Sequence, residues 1–465
     1  MMGAGLSSLL NTARDALTAQ AYGVTVTGQN ITNVNTPGYT RRDVILEPRA
    51  LGSDSYGGVQ VRGLRQIADT VLDRQQLITL GNKFSASTHD SELAGVEATF
   101  NDADGAGLGN QLDRLFASFG QLAVNPNDTT VRDQVLQSAD DFASRVRSIG
   151  DDLASTRDQL LSKAKQIASD VSERARAIAE LNRKIQVEEV QGHDAADLKD
   201  QRNKVLLDLA QMVDVKTTID GNGGVLVHSS GTTLVEGGNA RSLSVGLDSN
   251  GAIEVLAHSG NDPGQDVTRF LSGGSLAGVK ETRDVDVFAV AKKFDQFVFD
   301  TANAINAQHM QGFGQDGVNG RKIFDVFATS TGAARGLTVS TDVAGNPQAL
   351  AAAGALGSLP GDADNATKLA ALGDSAIGTG GRNVFESYGD IVGDVGVRKS
   401  AAERDAEMRE ALHAQTQAMR EAMSGVSLDE EMVSLSKYQR AYSASSKVIT
   451  VVDEMMQELL AKVGR

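Results

Sequence analysis

The side chains able to do chemistry are few, and their spacing does not assemble a site. His228 and His258 stand at matching places in a short echo, Val225-Leu226-Val227-His228-Ser229 and Val255-Leu256-Ala257-His258-Ser259. Two imidazoles could share a metal, but no neighbouring carboxylate or cysteine set completes the ligands, so solvent-facing strand histidines are the favoured reading. Asp102 and Asp104 open like a calcium loop. The fifth position is Ala106 and the twelfth is Asp113 rather than Glu, which favours a loop with helix caps. Gly105, Gly107 and Gly109 lack dinucleotide spacing and follow no clear strand. His193-Asp194 with Asp197 reads as a polar turn. Arg41-Arg42 could steer an acidic partner, and a solvated turn is the safer reading. There is no His-Glu-x-x-His helix and no Ser–His–Asp set that spacing identifies. With no cysteine, disulfides, thiol nucleophiles and thiolate metal sites are excluded. The expectation is therefore no catalytic, cofactor-binding or metal-binding residue.

The elements that such residues would hang on point elsewhere. Within the 465 residues the net charge is -16, which argues against nucleic acid as a partner. The same acidity favours solubility and weak self-association of the free subunit. No apolar run approaches the roughly 20 residues that span a bilayer, so membrane insertion is not expected. The first residues lack the basic stretch, apolar core and cleavage site of a signal peptide. Tryptophan is absent and aromatics are 4%, a poor inventory for an aromatic-lined pocket.

The two ends share a character that the middle lacks. Before Arg41 the only charged residues are Arg14 and Asp15. Leu6, Leu10, Ala13, Leu17, Gln20, Val24, Thr27, Ile31 and Val34 fall at alternating spacings of four and three. Tyr438, Tyr442, Ser445, Ile449, Val452, Met456, Leu459 and Val463 repeat that spacing, with Leu428, Met432 and Leu435 leading into it. This is a coiled-coil seam on each terminal helix, expected to pack end against end or against neighbouring copies. Chain ends are ordinarily frayed and polar, so both read as assembly surfaces.

Between them the first helix, expected from about Gly5, ends at Asn35-Thr36-Pro37-Gly38. A short strand is expected at Gly57–Val61, then helix from Ala68 to Leu80. Leu112, Leu115, Phe116 and Phe119 mark another helix, and Asn125–Asp128 breaks and re-caps the chain. After Gly150, heptad spacing of Leu153, Leu160 and Ile167, then Val171, Ile178 and Ile185, predicts one long bundle helix. Composition changes at Val213. To about Val279, glycine, β-alternation and the turns Asp220–Gly223 and Asp248–Gly251 indicate an inserted β domain. Helix is expected from Asp284 to Met310, a loose region over 311–382, and helix again from Val397 to Met423. Met408, Leu412, Met419, Met423 and Val426 are taken as the buried side of that last helix. Ser427–Glu430 reads as a capping box opening the terminal helix.

The fold class expected is mainly α with an inserted β domain, in an elongated multidomain chain. Residues 1–45 and 426–465 pair as a terminal coiled coil. Residues 46–212 and 280–425 form a helical bundle on the way out and back, and 213–279 form the β domain farthest from the termini.

Specific residues then carry a resemblance. Asn33-Val34-Asn35-Thr36-Pro37-Gly38-Tyr39-Thr40-Arg41 resembles the hallmark closing the first helix of bacterial flagellar axial proteins, the rod, hook and hook-associated subunits. Gly58–Val61 with Arg65, Asp69, Leu72 and Gln75, then Asn101–Gly109, Ala179–Asn182 and Asp200–Arg202, are similar to the junction-forming, hook-associated branch. So is Ser424–Met432 running into Tyr438–Tyr442, with Ser427 where that branch commonly has Asn. The resemblance covers nearly the whole chain in order. It implies a structural subunit exported unfolded through the flagellar type III channel and polymerised as a homo-oligomeric ring or helical layer. The implied neighbours are the hook protein and the second hook–filament junction protein, and a cytoplasmic export chaperone would hold the C-terminal segment. It places the terminal helices as an inner tube, with the β domain projecting outward.

Physical chemistry agrees with a marginal N-terminal helix. Ordering a residue costs about 1–2 kcal/mol, and burying a large apolar side chain returns roughly 1.5–3 kcal/mol. Large residues in that seam are few, so both termini are expected to be largely disordered alone and to fold on assembly. The alternatives are a rod or hook subunit, a secreted enzyme, and an extracellular adhesion module built on the β domain.

Overall fold

The computed structural model describes residues 2–36, 39–49, 57–101, 107–192, 195–220, 223–260, 262–377 and 381–463. Helix α1 (Met2–Thr32) leads into an antiparallel hairpin of β1 (Arg42–Pro48) and β2 (Val59–Gln66), with a bulge at Ile45/Leu46. The sequence reading anticipates β2 and misses β1. Helix α2 (Thr70–Thr99) is capped by Asp69, whose carboxylate accepts from the backbone N–H of Val71 and Leu72. It runs well past the expected end at Leu80.

Helices α3 (Leu108–Val124) and α4 (Thr129–Val190) follow, with Asp128 capping α4 through the Thr130 N–H. At 62 residues α4 spans about 90 Å. It starts about six helical turns earlier than the glycine at 150 suggests, because Gly150 is an interior contact rather than a break. A Cβ there would lie 2.9 Å from Arg335 Cγ and 3.1 Å from Ala334 Cβ. Helix α5 (Ala196–Met212) turns back along α4.

Two small antiparallel sheets come next. One comprises β3 (Lys216–Ile219), β4 (Val225–Ser229), β5 (Thr232–Glu236) and β6 (Asn239–Ala240), paired in that order. The other comprises β7 (Ser242–Leu247), β8 (Ile253–His258) and β9 (Gln265–Asp266). Along Val213, Val215, Thr217 and Ile219 the first two side chains are buried and Ile219 is exposed. The strands stop at Asp266, short of the expected Val279. Residues Gly274–Glu281 form helix α6, which packs on α2 and runs through a π-helical turn (Thr282–Val287) into α7 (Phe288–His309). In that turn Asp286 accepts from His89 Nε2 and from Arg398, both at 2.7 Å, tying three helices together.

The region expected to be loose is folded against α4 and α7. It holds β10 (Phe324–Asp325), α8 (Ala333–Gly336), β11 (Thr338–Val339) and α9 (Asp364–Ala371), and Phe324, Leu337, Leu350 and Leu369 are fully buried. Its anchors are polar. Buried His309 donates from Nδ1 to the Arg321 carbonyl (2.8 Å) and accepts the Ala351 N–H on Nε2 (2.8 Å). Burial pulls its pKa down to about 4 from 6.5. Above pH 6.5 the ring is neutral in both folded and unfolded chains. Between pH 6.5 and 4 only the unfolded chain takes up the proton, so stability falls as pH falls. Acidification from pH 7 to 4 is expected to cost on the order of 3 kcal/mol through this group. Denaturant unfolding at both pH values checks it, since His309→Gln should flatten that part of the slope.

Helix α10 (Val384–Ser424) opens with a capping box between Asn383 and Glu386 and lies along α2. The contact is largely polar: Thr79 with His413 (3.2 Å), Lys83 with Glu410, Asp90 with Lys399 and Asp73 with Arg420. Its buried residues include Val384, Tyr388, Ile391, Val395, Ala402 and Thr416. Met408, Leu412, Met419 and Met423 are exposed, so the methionine side is the outer face and not the core. The last helix, α11 (Leu428–Val463), returns along α1. Few aromatics suffice because they meet each other inside the bundle. Phe100 on Phe294, Phe116 on Phe385 and Phe142 on Phe324 are edge-to-face at 5.7–5.9 Å.

Candidate assembly site at the root of the terminal helices

The terminal helices pair antiparallel. Tyr438 of α11 lies on Gly23 of α1, and seven residues on, at Asn30, the facing residue is seven back, Glu431. Of the seam residues expected on α1, Leu6 and Ala13 are buried, and Leu10, Leu17, Val24, Ile31 and Val34 are half-buried. Thr27, on the expected seam, is buried as deeply as Val26, and the other buried positions, Ala19, Gly23, Val26 and Asn30, lie one residue to its side. On α11, Val452 is buried, and Leu435, Tyr438, Ile449, Met456 and Leu459 are half-buried. Tyr442 faces outward with Ala441 beside the seam, and Leu428 and Met432 are exposed.

The motif residues build the turn that follows α1. Asn33 Nδ2 donates to the Gln29 carbonyl (2.9 Å), Thr36 Oγ1 donates to Asn33 Oδ1 (3.1 Å), and the Tyr39 N–H donates to the Thr36 carbonyl. Asn35 is exposed. Pro37 and Gly38 lie outside the described residues, as do Asp102, Asp104, Gly105, Ala106, His193 and Asp194.

The turn delivers Tyr39, Arg41 and Arg42 to a cluster that sequence reasoning missed. Asn30 uses its whole amide there. Its Nδ2 donates to the Arg42 carbonyl (2.8 Å) and to Glu431 Oε2 (3.0 Å). Its Oδ1 accepts from the Arg42 N–H (3.1 Å) and the Tyr39 hydroxyl (2.7 Å). Arg41 donates to Glu431 Oε1 (2.7 Å) and Glu430 (2.8 Å). Glu431 is 3% exposed. Arg41 is thus an internal clasp rather than a solvated turn residue, and the carboxylate expected to cap α11 through Glu430 is engaged by it. Arg42 reaches the other way, to Asp197 (2.7 Å) and Asp200 (2.5 Å) of α5, with its guanidinium 5.1 Å from the Tyr39 ring centre. Burial pushes the Tyr39 hydroxyl up to about 12 and raises Asp200 despite Arg42 beside it. Gln66 of β2 donates to Asp200 as well (2.8 Å). One polar cluster therefore joins α1, α11, the hairpin and α5.

Two further motif residues act as a second joint. Asn182 of α4 donates to the carbonyls of Val225 (2.9 Å) and Gly237 (3.0 Å), and its Oδ1 accepts from the Val225 N–H and from Arg202 of α5 (2.9 Å). Arg202 also donates to the Gly223 carbonyl. Asn182 and Arg202 pin the first sheet to the bundle. The strand histidines take cross-strand hydroxyl partners, Thr233 for His228 (3.2 Å) and Ser244 for His258 (2.7 Å). Among the described residues no group of three or more His, Asp or Glu is placed to hold a metal, and no helix is long and apolar enough to cross a membrane. A cleft of about 800 Å³ lies between α7 and α10, and its Lys293 and Arg382 are already paired with Asp394 and Asp390.

A chain whose two ends pair, whose middle is a long-helix bundle with β sheets, and whose joints coincide with the axial motifs is a flagellar axial subunit. Three family models match it: Flagellar hook-associated protein FlgK helical domain over residues 93–324, Flagellar basal body rod FlgEFG protein C-terminal over 420–462, and Flagella basal body rod protein over 10–40. The chain belongs to the flagellar hook-associated protein 1 family. It is 28% identical over 496 residues to flagellar hook-associated protein 1 of Bacillus subtilis, covering 98% of each chain. It is 23% identical over 551 residues to that of Salmonella typhimurium, covering 98% of this chain and 100% of the relative. The solved structure of the flagellar hook junction protein FlgK from Burkholderia pseudomallei shares the fold. Its TM-score is 0.68 at 15% identity, over 76% of this chain and 100% of that one.

Proposed function

We propose that this chain is the subunit that joins the flagellar hook to the filament, a structural part with no catalysis. The observation that carries the reading is the pairing of the two chain ends into one rod, α1 with α11, rooted in the Asn30–Arg41–Glu431 cluster. Its outer face is unsupported by charge on α1, where no residue from Ala16 to Thr40 is charged. On α11 that face carries exposed Val448, Val451 and Met455. Such a face suits neighbours of the same kind, tiled in a ring or helical layer.

In this reading residues 1–45 and 426–465 form the inner tube. Residues 46–212 and 280–425 form the surrounding bundle, and the sheets of 213–279 project outward. The chain leaves the cell through the flagellar type III export route, unfolded, with a cytoplasmic chaperone on its C-terminal segment. It polymerises on the hook protein and receives the second junction protein above it. Its terminal helices gain most of their order on assembly, since the pair buries mostly small residues. The rod-protein matches at both ends keep a rod or hook subunit as the second reading, against which the helical-domain match over 93–324 weighs.

An in-frame deletion in the host tests it. The expected result is intact hooks, no filaments and flagellin released as monomer, seen by electron microscopy and in the medium. Loss of the hooks themselves would move the chain to a rod or hook position. Normal filaments would remove the junction role.

A further inference from the structure

We propose that Asn30 and Glu431 are positioning residues that latch the terminal helix pair: α11 docks on α1 only when Arg41 and Arg42 are set beside Asn30. The latch therefore couples the pair to the bundle. Glu431 is a nearly fully buried carboxylate at the first turn of α11. A buried carboxylate is costly without partners, and its partners are Asn30 and Arg41. Neither is free to serve it beforehand. Arg41 reaches Glu431 from the end of the turn. Asn30 is fixed because both of its amide ends are held by the backbone of Arg42, on the far side of the same turn. Arg42 in turn is held by Asp197 and Asp200 of α5. The order of dependence runs from the bundle, through Arg42 and the turn, to Asn30, and then to Glu431 and α11.

The position of the cluster makes this a latch rather than one contact among many. Glu431 belongs to the heptad series that continues through Tyr438, Ser445, Val452 and Leu459. It therefore sits where an apolar seam residue is expected. A polar group at a seam position specifies one pairing at the expense of stability. It also lies at the root, where α1 ends and α11 begins, so closing it brings the rest of both helices into register outward to the termini. The proposal concerns the chain by itself and holds wherever in the flagellum the subunit sits.

Disulfide trapping in the purified full chain tests it. There is no native cysteine, so a bond between introduced cysteines reports one pair. Ala16 and Ser445, both half-buried, stand one heptad outward from Gly23 and Tyr438. Ala16→Cys with Ser445→Cys should close far faster in buffer than in denaturant, and trapping registers even a sparsely populated pair. Adding Glu431→Leu or Asn30→Ala should slow closure at least tenfold toward the denatured rate, with hydrogen exchange over α2 and α10 unchanged. Closure of Glu431→Leu at the unsubstituted rate would overturn the latch, because apolar packing alone would then close the pair. So would an unsubstituted chain that closes no faster than in denaturant. Should Glu431→Leu lose protection in the bundle, Glu431→Gln decides: it keeps the shape and loses the charge for Arg41. A severalfold slowing is expected, and an unchanged rate overturns the proposal.

Discussion

Gly23→Val is expected to leave cells with hooks and few or no filaments, and to collapse the swarm on soft agar. Gly23 is buried in α1 against the face of Tyr438. A Cβ there would stand 2.6 Å from ring atoms Cδ1 and Cε1 and 2.8 Å from Cζ. The atoms in the way belong to the body of a rigid ring, half-buried between two helices, so a small rotation does not clear them. Overpacking of this kind costs about 1–3 kcal/mol. That is a large fraction of what a pair seamed by Ala13, Ala19, Gly23 and Thr27 can supply. Gly→Ala in a helix otherwise gains up to about 1 kcal/mol, so Val, larger and β-branched, is the clearer test. Gly23→Ala combined with Tyr438→Leu should recover more swarming than either substitution's separate losses allow. Strict additivity in that cycle would mean that the two residues do not meet in the assembled flagellum.

Periodicity made legible whatever packs by apolar rows. The terminal seams, the heptads of α4 and the turn after α1 are visible because their residue spacing is the interaction. What escaped detection is held by side chains that bond to the backbone or to one another. Helix α2 extends beyond Leu80 on buried Ala86, Leu93 and Val96, and also because Lys83, His89 and Asp90 find partners on α10 and in the π-helical turn. No hydrophobic count registers those contacts. The 311–382 region looks loose since its anchors are carbonyls meeting Arg132, His309 and Asn306. The methionines of α10 pointed the wrong way for the same reason, as the second half of that helix packs by its polar side, through His413 and Thr416. One signal was present and missed: Glu431 keeps the heptad step of Tyr438 and Val452. A charged residue at a seam position calls for a buried partner, and Asn30, one heptad from Gly23, is it.

Arg132→Met is expected to lower the unfolding free energy by about 4 kcal/mol. Arg132 is 1% exposed and has no carboxylate in contact among the described residues. Its Nε donates to the Pro126 carbonyl (2.7 Å), and its Nη1 donates to those of Pro347 (3.2 Å) and Leu350 (2.7 Å). Burial without a paired acid pulls its pKa down to about 10, still far above neutral, so the guanidinium stays charged and the carbonyls carry it. Methionine fills much of the volume and removes three charge-assisted bonds, each worth roughly 1.5–3 kcal/mol, leaving Pro126 to Gln315 Nε2 (3.3 Å) and the carbonyls of Pro347 and Leu350 to the N–H groups of Leu350 (3.4 Å) and Ala352 (3.1 Å). Two of the three lie in the segment that the arginine staples onto the start of α4, so the loss should be local first. Urea unfolding would show a lower midpoint. Native-state exchange would show early opening of 340–371, with α2, α10 and the terminal pair keeping their protection. Arg132→Lys should recover only part, because one ammonium cannot reach carbonyls that a planar fork spans. A midpoint unchanged in Arg132→Met would mean that water reaches those carbonyls and that the segment is held by its apolar contacts alone.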